Sequence, residues 1–214
     1  MFDLATNPDN APRTRCVGIL LAAGHGRRYA DAAQGQDKLT AQLPDGTPVV
    51  TAAARALRAA AGHVVAITRP DNAPLKALLV QAGCEVITTD LHADGMGDSL
   101  AAAARHVMLT SGPDVQTCLV ALGDMPWLRH DTCQLVARAA LSHSIVAPVW
   151  NGRRGHPVAF HRSLWPELAE LAGDKGARAL IGRHGVADIA VDDAGVCADV
   201  DTPADLAAGG AAGE

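Results

Sequence analysis

The chain has 214 residues, 49% hydrophobic and 19% charged, with a formal net charge of -5, which suits one globular α/β domain with a sizeable core and leaves little room for a second. The acidic balance and the dispersed arginines exclude the basic footprint of a nucleic-acid binder, and no apolar stretch reaches the ~18 residues that a membrane-spanning helix needs. The expected partner is a small anion. Met1 to Arg13 and Ala207 to Glu214 show no hydrophobic period, so flexible termini are expected at 1–13 and 207–214 around a single domain at 14–206.

Between these ends the elements alternate. Cys16 to Leu21 reads as a buried strand, and Pro48 to Ala61 as a helix with Thr47 as N-cap and Pro48 at its first position. His63 to Thr68 and Glu85 to Thr89 are β-branched runs separated by a helix over Ala73 to Ala82, which Gly83 is suited to end. Ser99 to Leu109 is alanine-rich and helical, Thr117 to Leu122 is another buried strand, and Thr132 to Leu141 another helix. This alternation predicts an α/β fold with a mainly parallel sheet, helices on both faces, and ligands bound at the carboxyl ends of the strands. Ser144 to Trp150 and Pro157 to His161 break the pattern as short strands joined by Asn151-Gly152-Arg153-Arg154-Gly155, a predicted hairpin and hence a small antiparallel element.

The first strand runs into Leu21-Ala22-Ala23-Gly24-His25-Gly26-Arg27-Arg28, with Asp37-Lys38 following. Glycines let successive N–H groups turn into one concavity, and arginine and lysine neutralise phosphate charge that amide dipoles alone could not. A nucleoside triphosphate fits that pattern. No Gly-Lys-Ser/Thr follows the loop, so it is not a Walker A site, and Tyr29 stands where a dinucleotide fingerprint would have its third glycine. The competing reading is a tight strand-to-helix turn with surface arginines.

Strand Thr117 to Leu122 ends in Gly123-Asp124-Met125-Pro126. A carboxylate there points into the ligand crevice, where Asp124 suits Mg²⁺, an ion that favours carboxylate plus phosphate oxygens. Its plain alternative is a turn or N-cap aspartate. Asp199 and Asp201, in Asp199-Val200-Asp201-Thr202-Pro203, form a second acidic point, and either could instead cap a helix beginning at Pro203.

Five widely spaced cysteines, Cys16, Cys84, Cys118, Cys133 and Cys197, form no CxxC pair and follow no secretory leader, which reads as reduced thiols in a cytoplasmic protein. Histidines such as His92, His106, His130, His143, His161 and His184 lack the close pairing of a zinc site. Trp127, Trp150 and Trp165 could stack on an aromatic ligand, with burial in the core or at a helix edge as the alternative.

In order along the chain, Leu-Ala-Ala-Gly-x-Gly-x-Arg, Asp-Lys, Gly-Met-Gly-x-Ser, Gly-Asp-Met-Pro, Gly-His-Pro, Gly-Asp-Lys-Gly-Ala-Arg and Asp-x-Asp-Thr-Pro together resemble the MobA-like nucleotidyltransferases, specifically their molybdenum cofactor cytidylyltransferase branch. The resemblance runs from about Cys16 to Leu206. It implies a Rossmann-like, glycosyltransferase-A-type, three-layer fold and Mg²⁺-dependent transfer of NMP from an NTP to a phosphorylated acceptor, with release of pyrophosphate. On this basis Leu21 to Arg28 and Lys38 would hold the triphosphate, with Arg28, Lys38 and Asp124 as catalytic groups. Ala23, Gly95, Met96, Gly97 and Ser99 would lie near base and ribose, Asp124 and Asp201 would bind Mg²⁺, and His156, Asp174, Lys175 and Arg178 would face the acceptor.

Lys175 and Arg178 flank a glycine before an apolar stretch, so a phosphate could sit at a helix start there, the alternative being a capped surface turn. Ala23 stands where the guanylyl branch tends to glycine, which points to CTP; a guanylyltransferase, a transferase acting on another phosphorylated metabolite, and a non-catalytic cofactor carrier are the alternatives. The resemblance also implies a molybdopterin-type acceptor and transient contact with a molybdenum hydroxylase. The chain departs from the family at Tyr29-Ala30, where the usual glycine is missing and Asp31 to Gln36 intervene before Asp37-Lys38. A longer loop can still close, since doubling a flexible loop costs only about 0.6 kcal/mol.

Overall fold

The computed structural model describes residues 16–89 and 95–209. The expected flexible segment at 1–13, residues 210–214 and His92 lie outside the described residues. The strands are β1 (Cys16–Ala22), β2 (His63–Thr68), β3 (Glu85–Thr88), β4 (Thr117–Leu122), β5 (Ile145–Trp150), β6 (Arg153–Arg154), β7 (Val158–His161) and β8 (Ala187–Ala190). The helices are α1 (Arg27–Ala32), α2 (Val49–Arg58), α3 (Ala73–Gln81), α4 (Met96–Thr110), α5 (His130–Ala139), α6 (Trp165–Ala169), α7 (Arg178–His184) and α8 (Pro203–Ala208). None is long and apolar enough to cross a membrane among the described residues.

One eight-stranded sheet runs in the order β3-β2-β1-β4-β7-β5-β6, with β8 pairing β5. Strands β1 to β4 are mutually parallel, β7 is antiparallel to both β4 and β5, and β8 is parallel to β5. This is the α/β fold with a mainly parallel sheet expected from the alternation, and the Rossmann-like one that the resemblance implies.

Side chains of each strand alternate between two apolar layers. From β1, Cys16, Leu20 and Ala22 face Leu57 of α2, Leu75 and Leu79 of α3, and Cys133 and Val136 of α5. Val17 and Ile19 face the other side, with Leu100 and Val107 of α4, Trp165 and Leu168 of α6, and Leu180 of α7. Burial on both sheet faces is why these strands read as continuous apolar runs. Trp165 belongs to this core, its indole N–H donating to the Phe160 carbonyl at 3.3 Å, so it does not serve as a ligand-stacking ring. All five cysteines are free, and desolvation raises the thiol pKa of Cys16 and of Cys84 to about 11, leaving them unreactive.

Several boundaries differ from expectation, each for a local reason. Helix α2 begins at Val49 with Pro48, not Thr47, as its N-cap, because Gln42 and Pro48 form an isolated bridge and the Thr47 carbonyl accepts from the Leu43 N–H. Helix α4 starts at Met96, three residues before Ser99; Gly97 sits inside its first turn, where its N–H finds the Gly173 carbonyl at 2.7 Å. The predicted hairpin closes earlier than expected. Asn151 (φ 47°) and Gly152 (φ 76°) turn the chain into β6, which pairs Val149 and Trp150, and β7 then inserts between β4 and β5. Helix α8 extends to Ala208, two residues into the stretch expected to be flexible: Thr202 and Asp205 start it with a capping box, and Gly209, left-handed at φ 64°, ends it.

Parallel register sets up the site. Leu21 of β1 lies beside Leu122 of β4, and the Gly123 N–H donates to the Leu21 carbonyl at 2.8 Å. The two strands therefore deliver their outgoing loops side by side. Gly18 in the middle of β1 allows α2 to lie close to the sheet, since a Cβ there would meet Val64 Cγ2 at 2.8 Å and Leu57 Cδ2 at 2.9 Å. Gly18→Ala is expected to destabilise the fold by about 1–3 kcal/mol through overpacking, read as a lower urea midpoint; an unchanged midpoint would show that α2 can move away freely.

Candidate active site

A cleft of about 240 Å³ opens at the carboxyl ends of β1 and β4, lined by Leu21, Ala22, Ala23, Gly24, His25, Gly26, Lys38, Leu39, Gly95, Met96, Ser99, Leu122 and Asp124. These include ten of the residues expected to hold nucleotide. Arg27, Arg28 and Gly97 are the exceptions. Arg27 and Arg28 lie in the first turn of α1 with exposed side chains, and Gly97 faces away from the cleft toward the loop at 172–174, where a Cβ would come within 2.6 Å of the Gly173 carbonyl. Its missing side chain serves loop docking.

Gly26 caps α1 with φ 56°, a left-handed conformation that favours glycine. The residues intervening before Asp37 do not form an open loop. They coil into α1 and a turn through Gln34 (φ 54°) and Gly35 (φ 87°), anchored by buried Tyr29 against Val49 and Val200. Asp37 then fixes the approach of Lys38: its Oδ1 accepts from the Leu39 N–H at 2.9 Å and its Oδ2 from Asn72 Nδ2 at 2.6 Å, while Asn72 caps α3 through the Leu75 N–H. Lys38 is thereby carried into the cleft, 9% exposed.

Its ammonium meets carboxylates there. Lys38 Nζ lies 2.6 Å from Asp124 Oδ2 and 3.3 Å from Asp201 Oδ1, and the Arg28 guanidinium lies 2.8 Å from Asp201 Oδ2. Burial alone would lower the Lys38 pKa, but the charges and hydrogen bonds of Asp124 and Asp201 outweigh it and hold it above the ordinary lysine value. Lys38 stays charged throughout the neutral range.

A third carboxylate joins these two. Oxygens of Asp124, Asp199 and Asp201 lie within 4.8 Å of one another, and burial, followed by the charges of Asp201 and Asp124, raises the pKa of Asp199. Neither Asp199 nor Asp201 caps α8. That work is done by Thr202 with Asp205, whose carboxylate accepts from the N–H groups of Asp201 and Thr202 and from the Thr202 hydroxyl. Asp124 is not a cap either, since α5 has Arg129 at its N-cap, and its Oδ1 is buried with no hydrogen-bond partner. A buried carboxylate oxygen without a protein donor is free to accept a water or a cation. Three hard oxygen ligands with one oxygen unclaimed fit a divalent cation.

The remaining candidates act around this core. The backbone of Gly155-His156 clamps the acidic segment: the His156 N–H donates to the Val196 carbonyl at 2.8 Å, and a Cβ on Gly155 would fall inside van der Waals contact with that carbonyl. The His156 ring turns inward, with Nδ1 buried and unpartnered. Burial lowers its pKa against the opposing hydrogen bond to Val120 and charge of Asp124, so it is neutral near pH 7. Asp174, Lys175 and Arg178 are exposed and line no part of the cleft. Their loop docks on the start of α4 through Gly173, whose carbonyl accepts from Gly97 and whose N–H donates to Asp98 Oδ1 at 3.2 Å, and Gly176 packs on Met96. The loop therefore borders the cleft at Gly95 and Met96.

Comparison with known proteins matches the family model described as the MobA-like NTP transferase domain to residues 18–189. The chain belongs to that family. A MobA-like relative named probable molybdenum cofactor guanylyltransferase, from Mycobacterium ulcerans (strain Agy99), is 28% identical over 197 residues, covering 90% of this chain and 92% of the relative. Among solved structures, Rv0371c from Mycobacterium tuberculosis H37Rv is 27% identical with a TM-score of 0.75, covering 91% of this chain and 96% of that one. A crystal structure of Rv0371c in complex with manganese is 26% identical with a TM-score of 0.70, covering 90% and 96%.

The glycine loop of this MobA-like domain gives a paired test. A Cβ on Gly26 would sit at a positive φ and 3.3 Å from Lys38 Cγ, whereas a Cβ on Gly24 would meet nothing within 4 Å. Gly26→Ala should cost about 1 kcal/mol in stability and raise the nucleotide KM, with Gly24→Ala close to wild type in stability. Equal behaviour in thermal melts and nucleotide titrations would contradict this assignment of the loop.

Proposed function

We propose that this MobA-like transferase moves CMP from CTP to the terminal phosphate of a molybdopterin-type acceptor and releases pyrophosphate. The observation that carries the transferase part is the meeting of a glycine-loop cleft with Lys38 and three clustered carboxylates. A carrier that only held a nucleotide-bearing cofactor would have no use for a carboxylate cluster at the phosphates. The cytidylyl part is supported by Ala23, a residue of the cleft lining, whose Cβ would restrict how closely a large purine approaches the backbone. The name of the Mycobacterium ulcerans relative favours a second reading, GTP as donor.

In the proposed reaction an oxygen of the acceptor phosphate attacks the α-phosphorus of the nucleotide, and the bond to pyrophosphate breaks in line. Phosphate is already anionic near neutral pH, so the chain needs no general base. What it must do is bring anions together. The amides of Ala23 to Gly26 orient the triphosphate, and Lys38 and Arg28 neutralise the charge that gathers on departing pyrophosphate. Asp124 and Asp201, joined by Asp199, would hold Mg²⁺, which when bound supplies charge neutralisation and Lewis-acid polarisation of phosphate oxygens. Lys175 and Arg178, with Asp174 beside them, would receive the acceptor at the cleft border, and inward-facing His156 would support the carboxylate segment. A single domain over 14–206, a cytoplasmic setting and transient delivery of product to a molybdenum hydroxylase complete the proposal.

Pyrophosphate release with each nucleotide in the presence of molybdopterin and Mg²⁺ tests it. CTP should exceed GTP in kcat/KM by about ten-fold or more, a difference of about 1.4 kcal/mol in transition-state binding, and Ala23→Gly should narrow the ratio. Equal values or a GTP preference would remove the cytidylyl assignment and leave the guanylyl one.

A further inference from the structure

The charged groups of the cleft differ in their freedom to move. The acidic segment is set by backbone bonds: the Asp124 carbonyl accepts from the Val200 N–H at 2.9 Å, and the Asp201 N–H donates to Asp205 at 2.9 Å. The backbone around Lys38 is set as well, by the Asp37–Asn72 bond and by the Leu39 carbonyl accepting from the Val50 N–H at 3.0 Å. The Lys38 stem runs beside Gly26, with Cγ 3.3 Å from where a Cβ would stand. Rotation about its own side-chain bonds can therefore carry Nζ from the carboxylates toward the glycine loop with no movement of the main chain.

We propose that Lys38 is a resident counter-ion that holds the metal-binding carboxylates against divalent cations until a nucleoside triphosphate draws its ammonium onto the phosphates, so that cation and nucleotide enter together. This rests on the reading of the cleft as a nucleotidyltransferase site. A cation arriving alone meets the charge of an ammonium with 11% side-chain exposure already paired to Oδ2 of Asp124, whose side chain is 18% exposed. Among the described residues lining the cleft Asp124 is the one acid, and Asp201, the other carboxylate beside Nζ, belongs to the same acidic cluster that a cation would occupy. A triphosphate brings several negative charges into that same cleft and removes the obstacle. Arg28, whose side chain is 78% exposed, is already screened by solvent and opposes the cation far less.

The test is an electron paramagnetic resonance titration of Mn²⁺ with nucleotide-free protein, comparing wild type with Lys38→Gln, Lys38→Met and Arg28→Gln. Two Lys38 variants guard against one that fails to fold, with thermal melts confirming that each compared protein is native. Removing a unit charge at near-contact distance in a half-screened site should tighten Mn²⁺ binding by about ten-fold or more in the Lys38 variants. Arg28→Gln should tighten it far less, and Asp124→Asn added to Lys38→Gln should abolish the gain. Unchanged affinity in the Lys38 variants, an equal gain from Arg28→Gln, or a gain that survives Asp124→Asn would each overturn the proposal. Absence of pyrophosphate release with either nucleotide would instead overturn the transferase reading, without altering the titration.

Discussion

Three carboxylates with oxygens inside 4.8 Å repel one another, and a protein holds such a group ionised only if cations stand close by. Lys38 between Asp124 and Asp201, and Arg28 on Asp201, are those cations. The rest of the site follows from the need to bring these groups together from positions far apart in sequence: Lys38 is separated from Asp124 by 86 residues and from Asp201 by 163. Much of the local architecture can be understood as the scaffolding of that meeting.

The sheet provides the fixed frame. Parallel pairing of β1 with β4 brings the glycine loop and Asp124 to the same edge, where the crevice at the strand ends of an open α/β sheet receives ligands. Two backbone bonds then hold the acidic segment down from either side, one to the Asp124 carbonyl and one from the His156 N–H. The Gly-His-Pro motif thus has a structural task that its composition does not announce. Gly155 gives the Val196 carbonyl room to approach, and the histidine that follows turns inward.

The parts of the fold legible in the sequence were those written in continuous apolar runs. Strands β1, β2 and β4 lie within a residue of their expected ends, because burial on both sheet faces demands such runs, and helix α3 ends within a residue of expectation because Gly83, at φ 80°, follows it. Helix α1 was not legible: it spans six residues of which Tyr29 alone is buried, too short and too polar to show a period. The start of α4 was hidden by glycines whose purpose, the close approach of the Gly173 backbone, depends on a segment far along the chain. Asp199 was visible as half of an Asp-x-Asp pair, and the alternation of side chains in an extended segment was a hint. What settled its freedom was the Thr202-x-x-Asp205 spacing, a capping signature that takes over the helix start. The reach of Lys38 could not be read at all, since it depends on how α1, Tyr29 and the Asp37–Asn72 bond pack.

In the proposed reaction the charge of Asp124, and not merely its shape, is what lets this cleft transfer a nucleotide. Asp124→Asn keeps the side-chain volume while removing the charge that pairs with Lys38 and would hold the metal. The decisive measurement is pyrophosphate release at saturating nucleotide, acceptor and Mg²⁺ for wild type and this variant, alongside a thermal melt of each. The expected outcome is a native melt with turnover reduced by about 100-fold or more, equivalent to about 3 kcal/mol of transition-state stabilisation; a natively folded Asp124→Asn with near-normal turnover would rule out this role of the charge.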